Sequence, residues 1–117
     1  MIGIKRVYEP PAAVDGYRVL VDRLWPRGLK RENAAIDAWL VDLAPSTGLR
    51  TWFAHEPLRW PEFQQRYRLE LADRGMAADL DDLRRRAHGG TLTVLYAARD
   101  ERYNNACVLR DVLLEGG

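Results

Sequence analysis

Two stretches of the chain are continuously apolar and bounded by turn residues. TLTVLYAA, Thr91 to Ala98, is the clearer. The other is RVLVD, Arg18 to Asp22, with Tyr17 before it. Short apolar runs without polar alternation predict strands buried on both faces, as in a parallel sheet. Ile2 to Val7 reads as a short first strand. EPPAAVDG, which follows it, is a loop: Pro10 and Pro11 exclude ladder pairing, and Asp15-Gly16 signals a turn.

Between the two clear strands the apolar period changes to that of a helix. Ile36, Trp39, Leu40 and Leu43 fall at i, i+3, i+4 and i+7, which predicts a helix capped by Asn33 and ended by Pro45. Ser46 or Thr47 starts a shorter helix carrying Leu49, Trp52 and Phe53, which stops before Pro57. Pro61 suits the first turn of a third helix, with Trp60, Phe63, Tyr67 and Leu71 inward and Gly75 as its stop. A fourth runs from about Ala77 to Ala87 and ends at Gly89-Gly90. After the last strand, Asp100 caps or precedes a helix that buries Ala106, Leu109, Val112 and Leu113.

The resulting order is strand, strand, four helices, strand, helix. It predicts an α/β fold of one domain spanning residues 1–117. The expected architecture is three-layer-like: a short, mostly parallel three-stranded sheet flanked by about five helices. The second and third strands, joined by a long helical crossover, are expected to be parallel neighbours.

Composition narrows the class. The chain has 117 residues, 47% hydrophobic and 30% charged, which are ordinary values for a globular domain. No apolar run approaches the roughly 18 residues that cross a bilayer, and MIGIKRVYEPP does not read as a secretory leader. A cytoplasmic protein with no membrane association is expected. Cys107 is the single cysteine, which excludes an internal disulfide and reads as a buried, inert thiol. Of 18 basic residues, 16 are arginines, yet the net charge is only +1. The chain as a whole is therefore no electrostatic magnet for nucleic acid.

The candidate chemistry lies where the strands end. In open parallel sheets, ligands bind beyond the carboxyl ends of the strands. The second strand ends in DRLWPRG, which supplies Asp22, Arg23, Trp25 and Arg27. The third ends in AARD, with Arg99 and Asp100, and the first in RVYEP, with Arg6, Tyr8 and Glu9. Parallel strands would bring these three segments to one edge. Arg6, Arg23, Arg27 and Arg99 are the anion-binding candidates, because a guanidinium holds phosphate or carboxylate through paired hydrogen bonds. Asp22 and Asp100 are the acid–base candidates, with Tyr8 and His55 secondary. The competing structural readings are ion pairs of Arg23 with Asp100 or Arg99 with Asp22, a Trp25 packed on its own loop, and a His55 capping a helix end. His88 reads as an exposed helix end. Arg84-Arg85-Arg86 reads as a solvated face opposite Asp79, Asp81 and Asp82.

The chain lacks GxGxxG, GxxxxGK[ST], HExxH, CxxC and GxSxG, so it carries no signature of dinucleotide, P-loop, zinc-protease or common hydrolase chemistry. No cofactor is expected. Arginines around Asp22 and Asp100 argue against a metal there.

Three blocks carry a resemblance: IKRVYEPPAAVDGYRVLVDRLWPRGL, W..DLAPST.LR.WFAHEP.RW..F..RY..EL and LTVLYAARDERYNNACVLRDVL. Together, from about Ile4 to Leu114, they resemble the YeaO-like family, small bacterial proteins within a wider domain-of-unknown-function family. The resemblance implies no defined activity. Its recurring positions are Arg6, Tyr8, Asp22, Arg23, Trp25, Pro26, Arg27, Gly28, His55, Arg99 and Asp100. It implies a parallel α/β domain with a helix between the first two strands, in place of which this chain has the PPAAVDG loop. Relatives carry histidine where this chain has Tyr103, and more distant ones are rich in cysteine and histidine around Tyr96, Tyr103, Asn104 and Asn105. A thiol or imidazole mechanism based on that segment is thus absent here. The functional expectation is binding of a small anionic ligand, such as a nucleotide or phosphorylated metabolite, with or without turnover. The alternative is a non-catalytic module that binds nucleic acid or a protein through the same arginines.

Overall fold

Four parallel strands, in the order β1-β4-β2-β3, form the sheet of the computed structural model, which describes residues 1–116. They are β1 (Ile2–Arg6), β2 (Tyr17–Leu20), β3 (Ala38–Trp39) and β4 (Leu92–Tyr96). Five helices accompany them: α1 (Arg31–Ala34), α2 (Thr47–Phe53), α3 (Trp60–Asp73), α4 (Ala77–Gly89) and α5 (Asn105–Glu115). β4 lies centrally. Its Leu92 faces both Ile2 and Tyr17, and Val94 faces both Ile4 and Val19.

Register and pleat explain the two-faced burial. Val19, Val21, Leu92 and Val94 point to one face, where Leu49, Phe53, Phe63, Tyr67, Leu83 and Leu109 of the helices cover them. Leu20 and Leu95, one residue out of phase, point to the other face. That second cover is thin: Trp25, Leu29, Ile36 and Trp39, from the segment after β2 and from β3. Both strands therefore need apolar residues at consecutive positions, and Val19, Leu20, Val21, Leu92, Val94 and Leu95 are all buried.

The helical reading of Ile36 to Leu43 is corrected. Helix α1 begins after Lys30, not Asn33, and ends within four residues because Ala35 adopts a left-handed conformation with φ 50°. The chain then runs along β2. The Asp37 N–H donates to the Arg18 carbonyl and the Leu40 N–H to the Leu20 carbonyl, both at 2.8 Å. This edge strand, followed by a 3-10 turn at Val41–Leu43, makes the sheet four-stranded rather than three-stranded. The i, i+3, i+4 spacing of a few apolar residues does not distinguish the two outcomes, and pairing with an exposed strand edge decided this one.

The first strand is parallel to the others, and the segment between β1 and β2 holds only a 3-10 turn, Ala13–Asp15. Asp15 anchors it. Its carboxylate accepts from the Ala12 N–H and from Lys5, and pairs with Arg18. Ser46 caps α2 by accepting from the Leu49 N–H, as predicted. The cap of α5 is Asn104, four residues beyond Asp100, and accepts from the Cys107 N–H at 3.0 Å. Cys107 is buried, which pushes its thiol pKa up. Arg84 pairs with Asp81, while Arg85 and Arg86 pair with Asp82, so the basic run is a paired helix face. Among the described residues, no helix is long and apolar enough to cross a membrane.

Candidate functional site

Because all four strands point the same way, the segments leaving β1, β2 and β4 meet at one edge, where α5 begins. A two-lobed cleft opens there. Its inner lobe, about 530 Å³, is lined by Asp22, Arg23, Trp25, Arg27, Arg50, Phe53 and Asn105 among others. Its outer lobe, about 670 Å³, is lined by Arg6, Arg27, Arg99 and Asp100. Tyr8, Arg27, His55, Ala97 and Ala98 line both, so the lobes are continuous. Every candidate residue named from the sequence thus borders this cleft. Their individual roles differ sharply.

Asp22 lies two residues beyond β2 and lines the inner lobe. One carboxylate oxygen accepts from the Ala97 N–H at 2.8 Å and the other from Asn105 Nδ2 at 3.1 Å. Burial pushes its pKa up. Asn105, Ala97, Arg50 and His55 pull in the opposite direction without cancelling that effect. Asp100 is different. Its Oδ1 accepts from the N–H groups of Tyr103 and Arg102, which hold its carboxyl below the ordinary range. It shapes the turn into α5. Among the described residues neither aspartate forms an ion pair with an arginine, so the competing reading of Arg23–Asp100 or Arg99–Asp22 pairs is not met.

Arg23 serves the scaffold. Its Nε donates to the Pro45 carbonyl at 3.1 Å, with Nη2 directed at the Ala44 carbonyl. Arg6 gives Nε to the Ala98 carbonyl and lies over the Tyr8 ring, 4.7 Å from its centroid. Tyr8 in turn donates its hydroxyl to the Arg27 carbonyl at 2.8 Å, tying the exits of β1 and β2 together. Trp25 packs on its own loop: its indole N–H reaches the Leu29 carbonyl, and its ring meets Trp39 edge-on at 5.4 Å. Gly28, at φ 78°, lets that loop reverse.

His55 does not cap α2 with its side chain. The Ala54 N–H closes the helix onto the Arg50 carbonyl, and Ala54 and His55 both take left-handed conformations, φ 46° and 58°. Two consecutive non-glycine residues in that region carry backbone strain. The turn sets the imidazole beside Phe53, at 6.0 Å between ring centroids, and on the wall of both lobes.

Arg27, Arg50 and Arg99 remain. Each is exposed, and among the described residues none has a side-chain hydrogen bond, an ion pair or an aromatic ring beneath it. Arg50 was not among the sequence candidates. It lies on the polar side of α2, where only its membership of the LR.WFAHEP block set it apart. Asn105, which fixes Asp22, was likewise missed as a positioning group.

The family model described as "Inactive DUF488-N3 subclade" matches residues 1–116. The uncharacterized protein YeaO of Escherichia coli (strain K12) is 42% identical over 113 residues, 96% of each chain. The uncharacterized proteins Rv3073c of Mycobacterium tuberculosis and Mb3100c of Mycobacterium bovis are each 39% identical over 112 residues. Those matches cover 96% of this chain and 92% of each relative. No solved structure matches.

Proposed function

The chain belongs to the YeaO-like family, and from that premise we propose that it binds a small phosphate- or carboxylate-bearing ligand in the two-lobed cleft without turning it over. The observation that carries this reading is the distribution of partnered arginines. Eight of the 16 form ion pairs: Arg18, Arg66, Arg68, Arg74, Arg84, Arg85, Arg86 and Arg110. Arg6, Arg23 and Arg59 donate to carbonyls, and Arg31 stacks on Trp25. Among the described residues four are left without such a partner, and three of those four, Arg27, Arg50 and Arg99, line the cleft.

Unpartnered guanidiniums along one cleft make its potential positive, and a bound anion fills their empty donor sites. Binding is favoured over catalysis because three of the four acid–base candidates, all but His55, are already engaged in structural hydrogen bonds. Both Asp22 oxygens and the Asp100 carboxylate accept structural hydrogen bonds, and the Tyr8 hydroxyl is committed to Arg27. The description of the matching subclade as inactive agrees with that preference.

Isothermal titration of the protein with inorganic phosphate and with citrate, at low and high salt, tests the reading. Saturable binding that weakens with salt and is lost in Arg27→Ala is expected. No binding of either anion, or equal binding by Arg27→Ala, would overturn it. Retention of DNA or RNA with a steep salt dependence and no small-anion binding would favour the nucleic-acid alternative instead.

A further inference from the structure

The three unpartnered guanidiniums are not gathered at one point. Arg50 lines only the inner lobe, Arg99 only the outer, and Arg27 the passage common to both. Tyr8, His55, Ala97 and Ala98 line that passage beside Arg27. One tetrahedral anion engages one or two guanidinium forks through paired hydrogen bonds. It does not reach from one lobe of about 530 Å³ into a second of about 670 Å³.

Resting on the anion-binding reading above, we infer that the ligand carries two phosphate groups, one held by Arg50 in the inner lobe and one by Arg99 in the outer, with Arg27 between them. Each lobe alone falls within the size of a small-molecule site, so the linker has room to be short or sugar-sized. The carboxylates of the cleft do not exclude such a ligand. Asp100 stays ionised, but its Oδ1 is engaged by the N–H groups of its own turn, and Arg6, Arg27 and Arg99 outnumber it in the outer lobe. Asp22 is drawn toward its neutral form by burial and opposed across the lobe by Arg50. The outer phosphate also meets Arg6, whose guanidinium is fixed by Tyr8 and the Ala98 carbonyl but keeps its Nη groups free of carbonyl bonds.

The experiment compares orthophosphate, pyrophosphate and a hexose carrying a phosphate at each end, titrated calorimetrically into the full chain at one ionic strength. At least one two-headed ligand is expected to bind about tenfold tighter than orthophosphate or better, the equivalent of one added charge-assisted contact. In Arg50→Ala and in Arg99→Ala that preference is expected to fall to about twofold or less, while orthophosphate still binds. Both side chains are exposed and lack internal partners, so these variants retain the fold, as circular dichroism would verify. A wild type that binds orthophosphate but shows no two-headed preference overturns this inference and leaves the anion-binding reading standing. So does a preference that survives in either variant, because it would then reflect ligand charge alone. Failure of all three ligands to bind overturns both.

Discussion

Asn105, the first residue of α5, donates its side-chain amide to two atoms at the end of β2: the Val21 carbonyl at 2.7 Å and Asp22 Oδ1 at 3.1 Å. One amide thereby fixes the helix start to the sheet and holds the carboxylate that lines the inner lobe. Replacing it with alanine strands the Val21 carbonyl and leaves the partly buried Asp22 carboxylate with the Ala97 N–H alone. Asn105→Ala is expected to lose about 1–3 kcal/mol of stability, read from urea denaturation. Its Asp22 carboxyl should titrate at higher pH than in wild type, followed by carboxyl NMR, because a hydrogen bond to the charged form has gone.

Asp15 is the pH-sensitive fastener of the opposite edge. Burial raises its pKa, but the Ala12 N–H, Lys5 and Arg18 together outweigh that and hold it below the ordinary 3.8. A depressed folded-state pKa gives stability that is fully present above the unfolded value and is lost as pH falls through the folded one. The protein should therefore lose stability as pH drops below about 3.8, a loss that Asp15→Asn makes smaller, with Asp100 and Glu115 supplying the remainder. At neutral pH, Asp15→Ala leaves Arg18, only 4% exposed, with its guanidinium charge uncompensated. A cost of about 3–5 kcal/mol is expected.

Gly16 follows that turn with φ 63°, and a Cβ there would lie 2.2 Å from the Thr91 carbonyl oxygen. The Tyr17 N–H donates to the same carbonyl at 2.9 Å, so neither chain can retreat without breaking the β2–β4 pairing. Gly16→Ala combines left-handed strain with a backbone clash. It should cost at least about 2 kcal/mol in thermal or urea unfolding. Gly28→Ala, with open space around the added carbon, should cost less.

Partnered and unpartnered arginines should separate by stability alone. Arg27→Ala, Arg50→Ala and Arg99→Ala are each expected within about 0.5 kcal/mol of wild type, as surface changes that remove no internal contact. Arg23→Ala should cost more, because it orphans the Pro45 carbonyl, whereas the Ala44 carbonyl keeps its bond from Arg74. Indistinguishable unfolding curves for Arg23→Ala and Arg27→Ala would contradict this division.

The carboxyl-edge assembly was legible because parallel strands force it: once β2 and β4 read as neighbours, DRLWPRG and AARD had to share an edge. Strands β2 and β4 followed from continuous apolar runs, and helices α2 to α5 from their 3.6-residue spacing and caps. The stretch from Ile36 to Leu43 did not follow. Its spacing suits a helix, but the exposed edge of β2 offered backbone partners that local periodicity does not encode. The same limit governs the site. Arg23 and Arg27 are four residues apart and chemically identical. Yet one meets a carbonyl 22 residues further along the chain, and the other meets none. Local pattern fixes which face a side chain takes and where an element stops. Whether a guanidinium is spent inside the molecule or left for a ligand depends on which distant backbone oxygens packing brings within about 3 Å, and only the folded chain decides that.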